Sequence, residues 1–150
     1  MNTDHIISTE DKHNLLTGRI FMYVNRFLGQ QFKANDITLT REQWTILVVL
    51  WKQDGVSQQA IADETGRDKP STTRLLDNLE KEGYILRKPD AKDKRLNLIC
   101  LTPKGKAIEK KIMKVANGTL DTITQGLTTA QLLTVKEVFA TIYHNIDAHK

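Results

Sequence analysis

Cysteine is almost missing from this 150-residue chain: Cys100 stands alone. That excludes an internal disulfide framework and a zinc knuckle built on cysteine pairs. Long apolar runs are missing too. The longest, Ile46 to Trp51, falls far short of the roughly 20 residues that a membrane-spanning helix needs. The opening stretch, MNTDHIISTEDKHN, is polar and mixed in charge, unlike a signal peptide or a transit sequence. Together these absences predict a cytoplasmic chain with no membrane partner. Catalytic signatures are also lacking: there is no GxSxG, no glycine loop for phosphates, no HExxH and no Cys–His constellation. The acidic residues are scattered among basic ones on polar helix faces, where solvated ion pairs account for them, so no enzyme activity is expected. Nor do the histidines make a metal site. His5 and His13 lie near the start, and His144 and His149 are spaced too far apart for one helical face, so neither metal nor cofactor is expected.

What is present suits a folded domain. Hydrophobic residues make up 39% and charged ones 27%, enough to build one core and too apolar for disorder. With no repeat, low-complexity tract or long linker, residues 1–150 read as a single domain. Lys and Arg number 22 against 18 Asp and Glu, a formal net charge of +4 that means little until it is located.

Periodicity supplies the elements. Leu16, Ile20, Tyr23, Val24, Phe27 and Leu28 recur at three and four, predicting one amphipathic helix from about Glu10 to Phe32. Thr40-Arg41-Glu42-Gln43 has the form of a capping box opening a central helix through Trp51, ended by Asp54-Gly55. Ser57 caps a short helix carrying Ile61 and Ala62 inward and closed by Gly66. Asp68 caps the next, with Pro70 in its first turn and Gly83 as its stop. The period then drops to two: Tyr84 to Arg87 and Leu96 to Leu101 are short strands around the polar loop Pro89 to Lys94. Thr102-Pro103 restarts a helix that should run to about Gln125 before Gly126, and Thr128 to Gln131 caps a last helix reaching about Ile146. The predicted order is α-α-α-α-β-β-α-α, mainly α with a small β-hairpin wing.

Two short helices joined by a Gly-containing turn and followed by a hairpin make the winged helix-turn-helix plan. At about 100° per residue from Asp68, Thr72, Leu75, Leu76 and Leu79 share one side, which should be buried. Pro70, Thr73, Arg74, Asp77 and Asn78 fall opposite, with Lys69 and Ser71 at the margins. That outer face suits a major groove: Arg74 can reach guanine O6 and N7, Asn78 adenine, and Thr73 can use its hydroxyl or methyl. Ser57 and Ser71, near helix N-termini, can meet phosphate oxygens. From Arg87 to Arg95, five basic residues (Arg87, Lys88, Lys92, Lys94, Arg95) face two acidic ones (Asp90, Asp93), so most of the chain's net charge sits on the hairpin. Such a loop can straddle phosphates and push an Arg into the narrow minor groove, with Asp93 holding the guanidinium of Arg95 extended. A winged helix that binds only protein would have no use for this basic loop. The end helices carry their own apolar stripes: Ile108, Ile112, Val115, Leu120 and Ile123, then Leu132, Val135, Val138, Phe139, Ile142 and Ile146. These must cover one another or meet a second chain.

In this order and spacing, four stretches resemble the MarR (multiple antibiotic resistance regulator) family. They are Ser57-Gln58-Gln59-Ala60-Ile61-Ala62, the run from Asp68 to Ile85, Asp90-Ala91-Lys92-Asp93-Lys94-Arg95, and Leu101-Thr102-Pro103-Lys104-Gly105. The likeness covers roughly residues 10 to 147. It implies a winged lobe over about 38–102 and a homodimer joined by helices over about 10–34 and 103–147. It also implies double-stranded DNA as partner, a pseudo-palindromic operator, repression of transcription, base or phosphate contacts from Ser71, Thr73 and Arg74, and Arg95 with Asp93 at the wing tip. Many members of that family release DNA on binding a small anionic or phenolic compound; here Tyr23, Phe27 and Trp44 are the candidates to border such an effector. Peroxide-sensing relatives use a cysteine in the first helix. This chain has none there, and Cys100 falls in a strand expected to be buried and unreactive.

Overall fold

The computed structural model describes residues 7–150, so His5 and the start of the opening stretch lie outside the described residues. Contacts divide the chain into two units, Met1–Ala116 and Asn117–Lys150.

The first unit opens with α1 (Thr9–Leu16) and α2 (Arg19–Ala34). Ser8 and Asp11 start α1 with a reciprocal capping box. The single helix expected over Glu10 to Phe32 is therefore two. Gly18 adopts φ +92°, a left-handed conformation that glycine tolerates and that interrupts the helical ladder. The apolar spacing runs through the break, so periodicity alone does not register it.

Next comes α3 (Arg41–Lys52), the expected central helix: Ile46, Leu47 and Leu50 are buried almost completely. Burying each such side chain contributes roughly 1.5–3 kcal/mol. Its start is fixed by Thr40, whose Oγ1 accepts from the Gln43 N–H while Gln43 Oε1 accepts from the Thr40 N–H. At its far end Asp54 Oδ1 accepts from the N–H groups of Gly55 and Leu101, joining the exit of α3 to the end of a strand.

The remaining elements of this unit are β1 (Val56–Ser57), α4 (Gln58–Thr65), α5 (Lys69–Lys81), β2 (Ile85–Pro89), β3 (Asn97–Leu101), α6 (Pro103–Ala107) and the first part of α7 (Glu109–Ile123). The sheet is antiparallel in the order β1-β3-β2, with Ile85 opposite Leu101, Pro89 opposite Asn97 and Val56 opposite Ile99. β1 is absent from the expected order because two residues carry no period-two pattern. Cys100, expected buried, is half-buried in β3. The helix expected from Pro103 to Gln125 is also divided, since Ile108 closes α6 before α7 begins. α6 packs closely: a Cβ on Gly105 would overlap the carbonyl oxygen of Tyr84, and Trp51 Nε1 donates to the Gly105 carbonyl at 3.0 Å.

In the second unit, left-handed Gly126 precedes α8 (Thr129–Asp147), which opens with the Thr128–Gln131 capping box. No residue of α8 is buried, and Leu132, Val135, Val138 and Ile146 of its predicted stripe are exposed. Among the described residues, no helix is long and apolar enough to cross a membrane.

Candidate nucleic-acid interface

Asp68 sets the start of α5. Its carboxylate accepts the Ser71 N–H at 2.8 Å, its carbonyl accepts the Thr72 hydroxyl at 2.8 Å, and Pro70 sits in the first turn. Thr72, Leu75, Leu76 and Leu79 are buried, as the helical wheel predicts. Lys69, Pro70, Arg74, Asp77 and Asn78 are exposed, while Ser71 and Thr73 are half-buried. Thr73 is drawn to the margin because Gln58 Nε2 of α4 donates to its Oγ1 at 2.6 Å.

The two serines proposed for phosphate are partly engaged already. Ser57 Oγ accepts from the Ala60 N–H as the cap of α4, and the Ser71 N–H is held by Asp68. What each can still offer a phosphate is the hydrogen of its hydroxyl.

At the tip of the hairpin the chain is held by its own side chains. Asp90 Oδ1 accepts the Lys92 N–H, and the Asp90 N–H donates to the Leu96 carbonyl. Asp93 binds Arg95 through three bonds: from the backbone N–H at 3.1 Å, from Nε at 3.1 Å and from Nη2 at 3.2 Å. The side chain of Arg95 is nonetheless 90% exposed. Hydrogen bonds from the Arg95 side chain first, and from its backbone second, lower the Asp93 carboxyl below the ordinary aspartate range. Lys88, Lys92 and Lys94 are exposed beside it.

A groove of about 510 Å³ lies between the starts of the two helices and the wing, lined by Ser57, Gln58, Gln59, Ala62, Lys69, Arg95, Leu96 and Asn97. It unites three of the residues singled out from the sequence: Ser57, Lys69 and Arg95. Arg74 and Asn78 lie outside this lining, further along α5. Gln58, Gln59 and Asn97 were not foreseen. The signal for the two glutamines was available, since they directly follow the Ser57 cap and so occupy the first turn of α4.

Arg87, expected to meet phosphate, is placed differently. Its guanidinium donates to Asp77 Oδ1 and to Glu80 Oε1, each at 2.8 Å, and its backbone N–H donates to Glu80 Oε2 at 3.2 Å. With the side chain only 18% exposed, Arg87 braces β2 against α5. The positive face of the wing is then carried by Lys88, Lys92, Lys94 and Arg95.

Tyr23 is 57% exposed on α2, with the Arg26 guanidinium 5.9 Å from its ring centre. The small groove there, about 180 Å³, is lined by Arg19, Met22, Tyr23 and Arg26 and includes neither Phe27 nor Trp44. Trp44 packs edge-on to Phe32, centroids 5.6 Å apart, and its indole N–H is buried without an acceptor. Among the described residues, no group of three or more His, Cys, Asp and Glu converges as a metal site.

A leucine-backed helix beside a protruding β-hairpin, preceded by a second short helix, defines a winged helix-turn-helix protein. Residues 39–96, which make up most of this lobe, match the model of the MarR family. The chain is 25% identical over 130 residues to YybA of Bacillus subtilis (strain 168), named an uncharacterized HTH-type transcriptional regulator, covering 87% of this chain and 85% of that one. Among solved structures it resembles a MarR transcriptional regulator from Methanosarcina mazei Go1, with TM-score 0.72, 25% identity, and 87% of this chain and 92% of that one covered. It also resembles the transcriptional repressor CouR bound to a 23-mer DNA duplex, with TM-score 0.76, 26% identity and coverage of 85% and 89%.

Proposed function

We propose that this chain is a cytoplasmic, sequence-specific regulator of transcription that binds double-stranded DNA as a homodimer and has no catalytic role. The observation that carries the reading is the groove shared by Ser57, Lys69 and Arg95, flanked by the exposed face of α5 and the exposed cations of the wing. Ser57, Lys69 and Ser71 meet phosphates, which position the lobe without reading sequence. Pro70, Thr73, Arg74 and Asn78 face base edges in the major groove. Lys92 and Lys94 follow the backbone, while Asp93 holds Arg95 extended toward the minor groove, where the potential is most negative. Arg87 acts by fixing the wing to α5. The likeness to a repressor solved on duplex DNA supports the assignment.

Dimerisation is supported by uncovered apolar surface at both ends of the chain. Leu15, Leu16, Ile20 and Met22 are exposed near the start, as are Leu132, Leu133, Val135, Val138 and Ile146 near the end. Monomeric proteins rarely leave patches of that extent open to water. A two-fold dimer places two lobes on half-sites about one helical turn apart, so the operator is pseudo-palindromic. Binding of a small aromatic or anionic effector near Tyr23, Phe27 or Trp44 would relieve repression. Selection from a random duplex pool tests the core of the proposal: a recovered inverted repeat is expected, and the absence of any enriched sequence would overturn it.

A further inference from the structure

We propose that Gln58 and Thr73 form a specificity-determining pair in which the Gln58 amide fixes Thr73 as a hydrogen-bond donor toward the base edge. This rests on the DNA-reading role of α5. Two neighbouring threonines in that helix behave differently. Thr72 is buried, and its hydroxyl is spent on the Asp68 carbonyl of its own helix. Thr73 Oγ1 instead accepts a bond from another helix, from Gln58 Nε2 at 2.6 Å. A hydroxyl has one hydrogen and two lone pairs. With one lone pair facing the amide, the hydrogen points away from Gln58 and can meet an acceptor on DNA. The β-branched side chain has few rotamers to choose among, so little freedom is lost in holding it there.

The consequence is chemical. A hydroxyl fixed as a donor matches the acceptors of the major groove: guanine O6 and N7, adenine N7 and thymine O4. It mismatches the N4 amino group of cytosine, which offers only a hydrogen. Gln58, a residue without a base of its own to read, thereby shapes the sequence preferred through its neighbour. Gln58 also lines the groove shared by Lys69 and Arg95, so the pair stands at the junction of α4, α5 and the wing.

Substitution at Gln58 can reverse the polarity. In Gln58→Glu the carboxylate accepts only, so Thr73 must donate inward and present lone pairs outward. An acidic residue in the first turn of α4 suits the helix dipole, and thermal melting of the variant verifies that it folds. Thr73→Val removes the hydroxyl while keeping the branched shape. The experiment is selection of bound sequences from one random duplex pool by the full-length parent, Gln58→Glu and Thr73→Val. Base preferences are read as ratios within each protein, so that the charge added by glutamate cancels.

The parent should enrich an acceptor-bearing base at one step of each half-site. Both variants should lose that preference by roughly 5–10-fold, the worth of one neutral hydrogen bond, while keeping the others. Gln58→Glu should in addition shift the same step toward cytosine, whose N4 amino group donates. Unchanged preferences in both variants overturn the pair. So does a change in Thr73→Val without one in Gln58→Glu, because Thr73 would then read DNA unaided. If the parent enriches no sequence, the regulator assignment fails and takes the pair with it.

Discussion

Replacing Arg87 by methionine would keep the aliphatic stem of the side chain and delete its guanidinium, leaving Asp77 and Glu80 facing each other's charge on α5. The cost can be bounded from the exposure of the partners. The Asp77 and Glu80 side chains are 62% and 43% exposed, so solvent screens each pair strongly. Exposed pairs are worth about 0.2–1 kcal/mol each. The arginine itself is sheltered and both bonds are short, which moves the sum toward the top of that range. A loss of about 1–2 kcal/mol is expected, or roughly 3–8 °C in Tm for a chain of this size. Thermal unfolding of Arg87→Met, Asp77→Asn, Glu80→Gln and the corresponding double variants isolates the coupling by double-mutant cycles. Coupling below about 0.3 kcal/mol in both cycles would refute the bracing role. A melt identical to the parent's, together with a plot of log affinity against log salt shallower by about 0.9, would return Arg87 to phosphate contact.

Arg95→Ala should weaken binding to nearly all duplexes and flatten the salt dependence, whereas Arg74→Ala should cost about 1–3 kcal/mol mainly on the preferred site. Equal losses on cognate and random DNA for Arg74→Ala, measured by fluorescence anisotropy, would contradict its role as a base reader. Gly105→Ala drives a methyl group against the Tyr84 carbonyl, which cannot swing aside as a flexible side chain would, so a destabilisation of about 1–3 kcal/mol is expected in denaturant titration. For Asp93 the carboxyl lies below its ordinary value of 3.8, so its hold on Arg95 is complete above that value and is lost as pH falls through the lower folded value. The Arg95 Nε–H resonance should therefore stay constant between about pH 7 and 5 and move only in stronger acid; movement near pH 6 would contradict the pairing.

Features specified within a few residues were readable in advance. Thr40 with Gln43, Ser57, Asp68 with Pro70, Thr102 with Pro103, and Thr128 with Gln131 each carry their helix start locally, and all five begin helices there. The buried side of α5 was readable for the same reason, since four spaced residues define it. Two helix interruptions were not, because the apolar spacing continues across Gly18 and Ile108. Neither was β1, whose pairing partner is a strand distant in sequence. In the interface, residue types marked the outer face of α5 and the charged wing. They could not show that Arg87 is consumed by two carboxylates of α5 or that Thr73 leans on Gln58, because both facts depend on which helices and strands become neighbours.

The strand order leaves β2 with one side unpaired, the kind of border that invites another polypeptide to add itself in register. Along a strand, successive N–H groups alternate between the two sides. The N–H of Arg87 points outward and is already taken by Glu80, and two residues on, Pro89 has none to give. Lys88 between them adds charge. A passing strand would find hardly a free donor to grip, so the projecting hairpin can reach into solvent without becoming a seed for aggregation.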